Sequence, residues 1–159
     1  IRFHEEEEVI CPLTDDVDDF QQKLHEMTPR TRETKFTPAL RKAWTLLDTP
    51  HAYVDTFGEA IKPSKAVLVI TDGDPNDARE ASSQVDMYRS SNFQLLYLKV
   101  GQAGYNDRDC LEDLAVVRPP PGSTTLPEHR GVFRTSCTQD GIVDADILVP
   151  KILSQVLWA

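Results

Sequence analysis

The sequence predicts a doubly wound α/β fold, with a mostly parallel sheet and helices on both faces. Three observations carry that reading. Ala66-Val67-Leu68-Val69-Ile70 is a short, unbroken, β-branched apolar run, the pattern of a strand buried on both faces of a parallel sheet. Strand-like and helix-like patterns alternate along the chain, as crossover connections require. The apolar run also drives straight into Thr71-Asp72-Gly73, which places polar groups at the strand's carboxyl end, where open α/β sheets take their ligands.

In chain order, Ile1–His4 reads as a strand fragment, Glu5–Glu8 as a charged turn and Val9–Leu13 as the return strand of a hairpin. Thr14-Asp15-Asp16 caps a helix reaching about Met27, with Val17, Phe20 and Leu24 spaced for one apolar face. Thr28–Thr37 is a polar loop. Pro38 suits the first turn of a second helix carrying Leu40, Ala43, Trp44 and Leu47. His51–Pro63 is a linker with room for a short helix, and the strand Ala66–Thr71 follows. Gly73 is expected to let the chain turn sharply, and Asp77 to open a helix through about Ser90. Phe93–Val100 is the next strand, with Val67–Ile70 expected at the centre of the sheet. Asn106 or Asp107 caps a short helix holding Leu111, Leu114 and Ala115. Arg118–His129 is a Pro-rich surface connection. Gly131–Thr135 is a last strand and Asp144–Trp158 a last helix. No internal repeat or composition break divides the chain, so residues 1–159 read as one domain.

Apolar and charged residues make up 40% and 27% of the chain, which suits a globular domain with a core. A formal net charge of -9 argues against nucleic acid or an anionic membrane as partner, since both need a basic footprint. No apolar run approaches the ~20 residues of a membrane span, so no membrane insertion is expected. Cys11, Cys110 and Cys137 lack metal-ligand spacing. Their odd number favours free thiols, and one pair plus one free thiol also fits.

The chemistry concentrates after the apolar strand. Asp72, followed by Asp74, Asn76 and Asp77, makes an acidic loop beside a threonine hydroxyl, a set of oxygen donors suited to a hard divalent cation. The plainer reading makes Asp72 a turn or capping residue. Asp74, Asn76 and Asp77 lack the twelve-residue calcium-loop pattern, so they read as the rim of the site and as caps of the following helix. His4, His25, His51 and His129 are scattered and read as surface or turn residues. No nucleophile stands beside a base, and Cys137 reads as a structural thiol.

These residues together resemble a von Willebrand factor A domain, also called an integrin I-like domain. VLVITDG resembles the family's fourth strand and its metal-site aspartate, which falls on Asp72. Glu33-Thr34-Lys35-Phe36-Thr37-Pro38-Ala39-Leu40 resembles the family's T-x-T-x-x-A-L loop, with the metal-site threonine at Thr34 and Phe36 in place of the second threonine. The opening hairpin followed by Pro12-Leu13-Thr14 resembles the second and third strands. The resemblance implies an adhesion or interaction module. Its metal site, MIDAS, would take Mg²⁺, or Mn²⁺ or Ca²⁺, through Thr34 and Asp72. The open coordination position would accept a carboxylate from a partner protein, with Asp74, Asn76 and Asp77 at the partner-binding rim. A metal-free scaffold domain is the alternative. A metal-assisted hydrolase would need a nucleophile or base beside Asp72, and none is apparent.

The departure from the family lies at the amino end. The D-x-S-x-S motif is absent, and Ile1-Arg2-Phe3 aligns near the end of the family's second strand. The first strand, central in the family's sheet, has no counterpart here. Unpaired backbone in that gap costs on the order of 1–3 kcal/mol per buried group. The sequence is therefore expected to be a fragment, incomplete at the amino end. Three arrangements could pair the outer edge of Ala66–Thr71: residues ahead of Ile1, a strand from another chain or segment, or Ile1–His4 directly.

Overall fold

In a computed structural model the described residues are 1–28, 33–49, 53–54, 57–58, 60–61, 64–91, 93–101, 110–119, 122–126, 130–136 and 145–157. Three strands form a parallel sheet in the order β5-β6-β7: β5 (Ala66–Thr71), β6 (Gln94–Gly101) and β7 (Val132–Ser136). The helices among the described residues are α1 (Val17–His25), α2 (Thr37–Asp48), α3 (Ala78–Ser90), α4 (Leu111–Leu114) and α5 (Ala145–Leu157). Two short hairpins, β1–β2 (Arg2–Phe3, Glu7–Glu8) and β3–β4 (Tyr53–Val54, Ala60–Ile61), stand apart from the sheet. The parallel sheet with helices is the α/β architecture read from the sequence.

Helices cover both faces. On one face Val69, Leu95, Tyr97 and Val132 pack against Leu40 of α2, Ala81, Val85 and Tyr88 of α3, and Leu111 and Leu114 of α4. Phe36 stacks on Tyr97 at 5.8 Å and meets Phe3 edge-on at 5.4 Å, which ties the opening hairpin to this core. On the other face Leu96, Leu98 and Phe133 pack against Ile152 of α5, with Leu148 and Val156 beside it. Two buried glutamines fasten α5 to β6. Gln94 Nε2 donates to the Gln155 carbonyl (2.9 Å), and Gln155 Nε2 donates to Gln94 Oε1 and to the Arg118 carbonyl, both at 3.1 Å. No helix among the described residues is long and apolar enough to cross a membrane. Cys11 and Cys110 are free thiols, and Cys137 lies outside the described residues.

Several expectations change. Among the described strands β6, not β5, is central. β5 is an edge, because no described strand pairs with its outer side. Its inner residue Val69 is buried, while Leu68 and Ile70 on the opposite face are 39% and 58% exposed. Ile1–His4 does not fill the gap: Arg2 and Phe3 pair antiparallel with Glu8 and Glu7 instead. The hairpin closes earlier than expected because His4 Nδ1 accepts the backbone N–H of Glu5 (2.7 Å) and Glu6 (3.4 Å). The return strand is therefore Glu7–Glu8, with an Arg2–Glu8 ion pair across it, and Leu13 is left exposed. His4 is a turn residue as expected but is buried rather than on the surface.

Within the linker, Tyr53–Val54 and Ala60–Ile61 pair as a hairpin in place of a short helix. The caps expected at Asn106 or Asp107 lie outside the described residues, as do His51, His129 and Trp158. Gly73 is not in the left-handed region; Gly58, Gly122 and Gly131 (φ 80, 78 and 80) are, and at Gly131 space matters too. A Cβ on Gly131 would meet Val117 Cγ2 at 2.4 Å, so both its conformation and its space exclude a side chain.

Candidate functional site

β5 delivers Thr71 and Asp72 to the carboxyl end of the sheet. Thr71 is buried, and its hydroxyl shapes the turn: it donates to the Gly73 carbonyl (2.8 Å) and accepts from the Gly73 N–H (3.2 Å). That hydroxyl, rather than glycine's conformational freedom, turns the chain. Asp72 emerges exposed.

The loop after β5 then grips the loop before α2. Thr34 N–H donates to Asn76 Oδ1, and Asn76 N–H donates to the Thr34 carbonyl, both at 2.8 Å. The Asp77 carboxylate accepts from Phe36 N–H (2.7 Å) and Thr37 N–H (2.8 Å). Asp77, expected to cap the helix it precedes, makes no side-chain cap on α3. It satisfies the orphan donors at the start of α2 instead, a position no side chain of α2's own flank caps. A carboxylate also favours that end of the helix dipole. Asp74 pairs with Lys99 Nζ at 3.0 Å. Lys99 is opposite Thr71 in the β5–β6 register, and sequence reasoning missed this cation at the site; its signal was the lone charge in the apolar run of β6.

This clamp has a geometric result. Thr34 and Asp72, far apart in the sequence, border one cavity of about 710 Å³ together with Thr71. Thr34, Thr71 and Asp72 make its polar end, Leu68 and Ile70 of β5 and Phe20 and Leu24 of α1 are apolar parts of its wall, and Arg2, His4 and Lys23 border it as well. The donors at the polar end are a carboxylate and a hydroxyl, both hard oxygens of the kind Mg²⁺ prefers. Two such side chains leave most of an octahedral shell to water or to groups from outside these residues. Among the described residues no three His, Cys, Asp or Glu side chains gather into a metal-binding group.

No curated protein matches the chain. The crystal structure of manganese-loaded Plasmodium vivax TRAP protein is similar at 19% identity and a TM-score of 0.50. That likeness covers 76% of this chain and 43% of the TRAP chain, so it speaks for the fold over less than half of that neighbour. The family model for the von Willebrand factor type A domain matches residues 1–120, most of the sequence, and the parallel sheet with its polar carboxyl end agrees with it. The chain belongs to the von Willebrand factor type A domain family.

Proposed function

We propose that this chain is a protein-interaction module that engages its partner through a divalent cation at the carboxyl end of β5. The observation that carries the reading is that Thr34 and Asp72 border one cavity, with Asp72 just past the carboxyl end of a parallel strand. Thr34 and Asp72 would hold Mg²⁺, or Mn²⁺ or Ca²⁺. The cation supplies an open coordination position for a carboxylate of the partner protein. Asp74 contributes negative charge at the rim, while Asn76 and Asp77 hold the Thr34 loop in place. Family membership and the manganese loaded into the similar TRAP protein support a cation here.

The test is a Mn²⁺ titration followed by electron paramagnetic resonance. Asp72→Ala is expected to remove the bound signal. Asp86→Ala, whose carboxylate pairs with Arg89 on α3, is expected to keep it. Equal binding by both variants would sink the assignment. A metal-free scaffold domain is the second reading, favoured by the lack of a three-ligand cluster among the described residues. A hydrolase has less support, since no described nucleophile is paired with a base near Asp72.

A further inference from the structure

We propose that a groove at the amino end of the sheet is a docking site for a segment of a partner protein that carries one carboxylate among apolar residues. The groove lies at the opposite end of the strands from Asp72, and the inference does not rest on the cation reading.

The groove has a volume of about 870 Å³ and is bordered by Arg89 at the end of α3, Glu112 of α4, Val116, Val117, Leu126 and Arg130. Val116 bridges to Leu95, near the start of β6, and Arg130 stands just ahead of β7. This wall is fixed in place. Val116 exchanges two backbone hydrogen bonds with Leu95, both at 2.9 Å. Tyr97 N–H donates to the Gly131 carbonyl at 2.8 Å, and Gly131 packs closely on Val117 and Ala115. A surface ordered before binding loses less freedom on binding.

Arg130 stands out on this wall. Among the described residues it alone is a non-glycine with a positive φ, 45. L side chains rarely adopt that conformation, and glycine would hold it without strain. No contact within the chain accounts for an arginine there. Arg130 is exposed, and its guanidinium has no ion pair or hydrogen bond among the described residues. Strain held at the rim of a groove points to use of the residue rather than to stability.

The other charges at the groove are compensated. Glu112 pairs with Arg134 at 3.1 Å, and Arg89 with Asp86 at 2.8 Å. Arg89 also donates to the Asp113 carbonyl at 3.2 Å. Arg130 is therefore the open charge, on a wall shared with Val116, Val117 and Leu126, of which Leu126 is 51% exposed.

That combination selects the occupant. A guanidinium takes a carboxylate through two parallel hydrogen bonds, and the apolar side chains gain from being covered. The net charge of -9 repels polyanions such as nucleic acid or an anionic membrane. A protein segment with a single acid among apolar residues meets all three conditions.

Selection of short random peptides displayed on phage against the intact protein, in EDTA, tests this. EDTA separates the groove from any cation site. Enriched peptides are expected to carry Asp or Glu beside apolar residues. One such peptide, followed by fluorescence anisotropy, is expected to bind Arg130→Gly about tenfold or more weakly than the unaltered protein. Arg41→Gln, which removes an exposed charge on α2, is expected to bind it equally well. Arg130→Asn, uncharged but tolerant of positive φ, should lose binding as Arg130→Gly does, which separates the charge from the shape of the turn. The melting temperature of Arg130→Gly is expected not to fall, since relief of strain offsets the freedom glycine adds to the unfolded chain. No enrichment, enrichment of peptides without an acid, or undiminished binding by either Arg130 variant would overturn the proposal. Self-association of the chain through Arg130 would overturn it too, by naming a second copy as the occupant.

Discussion

The two sides of β5 carry the same kind of sequence and have opposite fates. Toward β6, the apolar run of the strand meets another apolar run, and Leu95, Leu96 and Tyr97 are fully buried. On the face opposite Val69, residues just as apolar, Leu68 and Ile70, border a cavity, and the apolar stripe of α1 is exposed across it. An apolar pattern states which surface wants cover; it does not supply the cover. Hydrophobic stabilisation scales with area removed from water, so one pattern is worth several kcal/mol on one side and little on the other.

The largest expected effect is on the filled side. Leu96→Ala removes a fully buried side chain between β6 and α5, and urea unfolding is expected to show a loss of about 2–5 kcal/mol. A loss below 1 kcal/mol would mean that α5 packs loosely there. A second test of the filled side uses pH. Burial holds the Tyr97 and Tyr88 phenols well above the ordinary tyrosine value, and Tyr88 also donates to the Leu40 carbonyl at 2.7 Å. In the unfolded chain both ionise near pH ~10. The folded state keeps its protons to higher pH, so the stability they give is complete below that value and is lost as pH rises above it. Thermal melts from pH 8 to 11 should fall in the upper part of the range, and Tyr97→Phe should flatten the fall.

Asp77→Ala comes next. It strips two acceptors from the start of α2 and is expected to cost about 1–2 kcal/mol. Asp77→Asn, which keeps one acceptor, should cost less; equal losses would show that charge rather than hydrogen bonding holds the clamp. The smallest effect is on the open side. In the 159-residue chain Ile70→Thr should change stability by no more than about 0.5 kcal/mol, as at other exposed positions. A loss comparable to Leu96→Ala would mean that the two sides of β5 do not differ.

Much of the fold was legible locally. Short strand-like runs identified β5, β6 and β7, and Asp16 capped α1 as its position suggested, accepting from Asp19 N–H at 2.9 Å. Less of the site was legible. Its loop after β5 could be read from Thr71-Asp72-Gly73, but the partner of Asp77 lies on another loop, and no spacing along the chain reveals a cap made across space. The early close of the first hairpin depended on one imidazole nitrogen, and charged residues took the return strand because the turn set the register. The glutamine pair between β6 and α5 was likewise invisible, since each glutamine alone reads as a surface residue.

The sequence by itself determined the alternation of strand and helix, the apolar faces and the polar turn at the end of β5, because these follow from side-chain period and local backbone preference. Only the tertiary structure decided which apolar faces are covered, which acceptor serves which helix end, and that Thr34 and Asp72 border one cavity. Those depend on contacts between residues distant in the chain, whose free energy no local pattern contains.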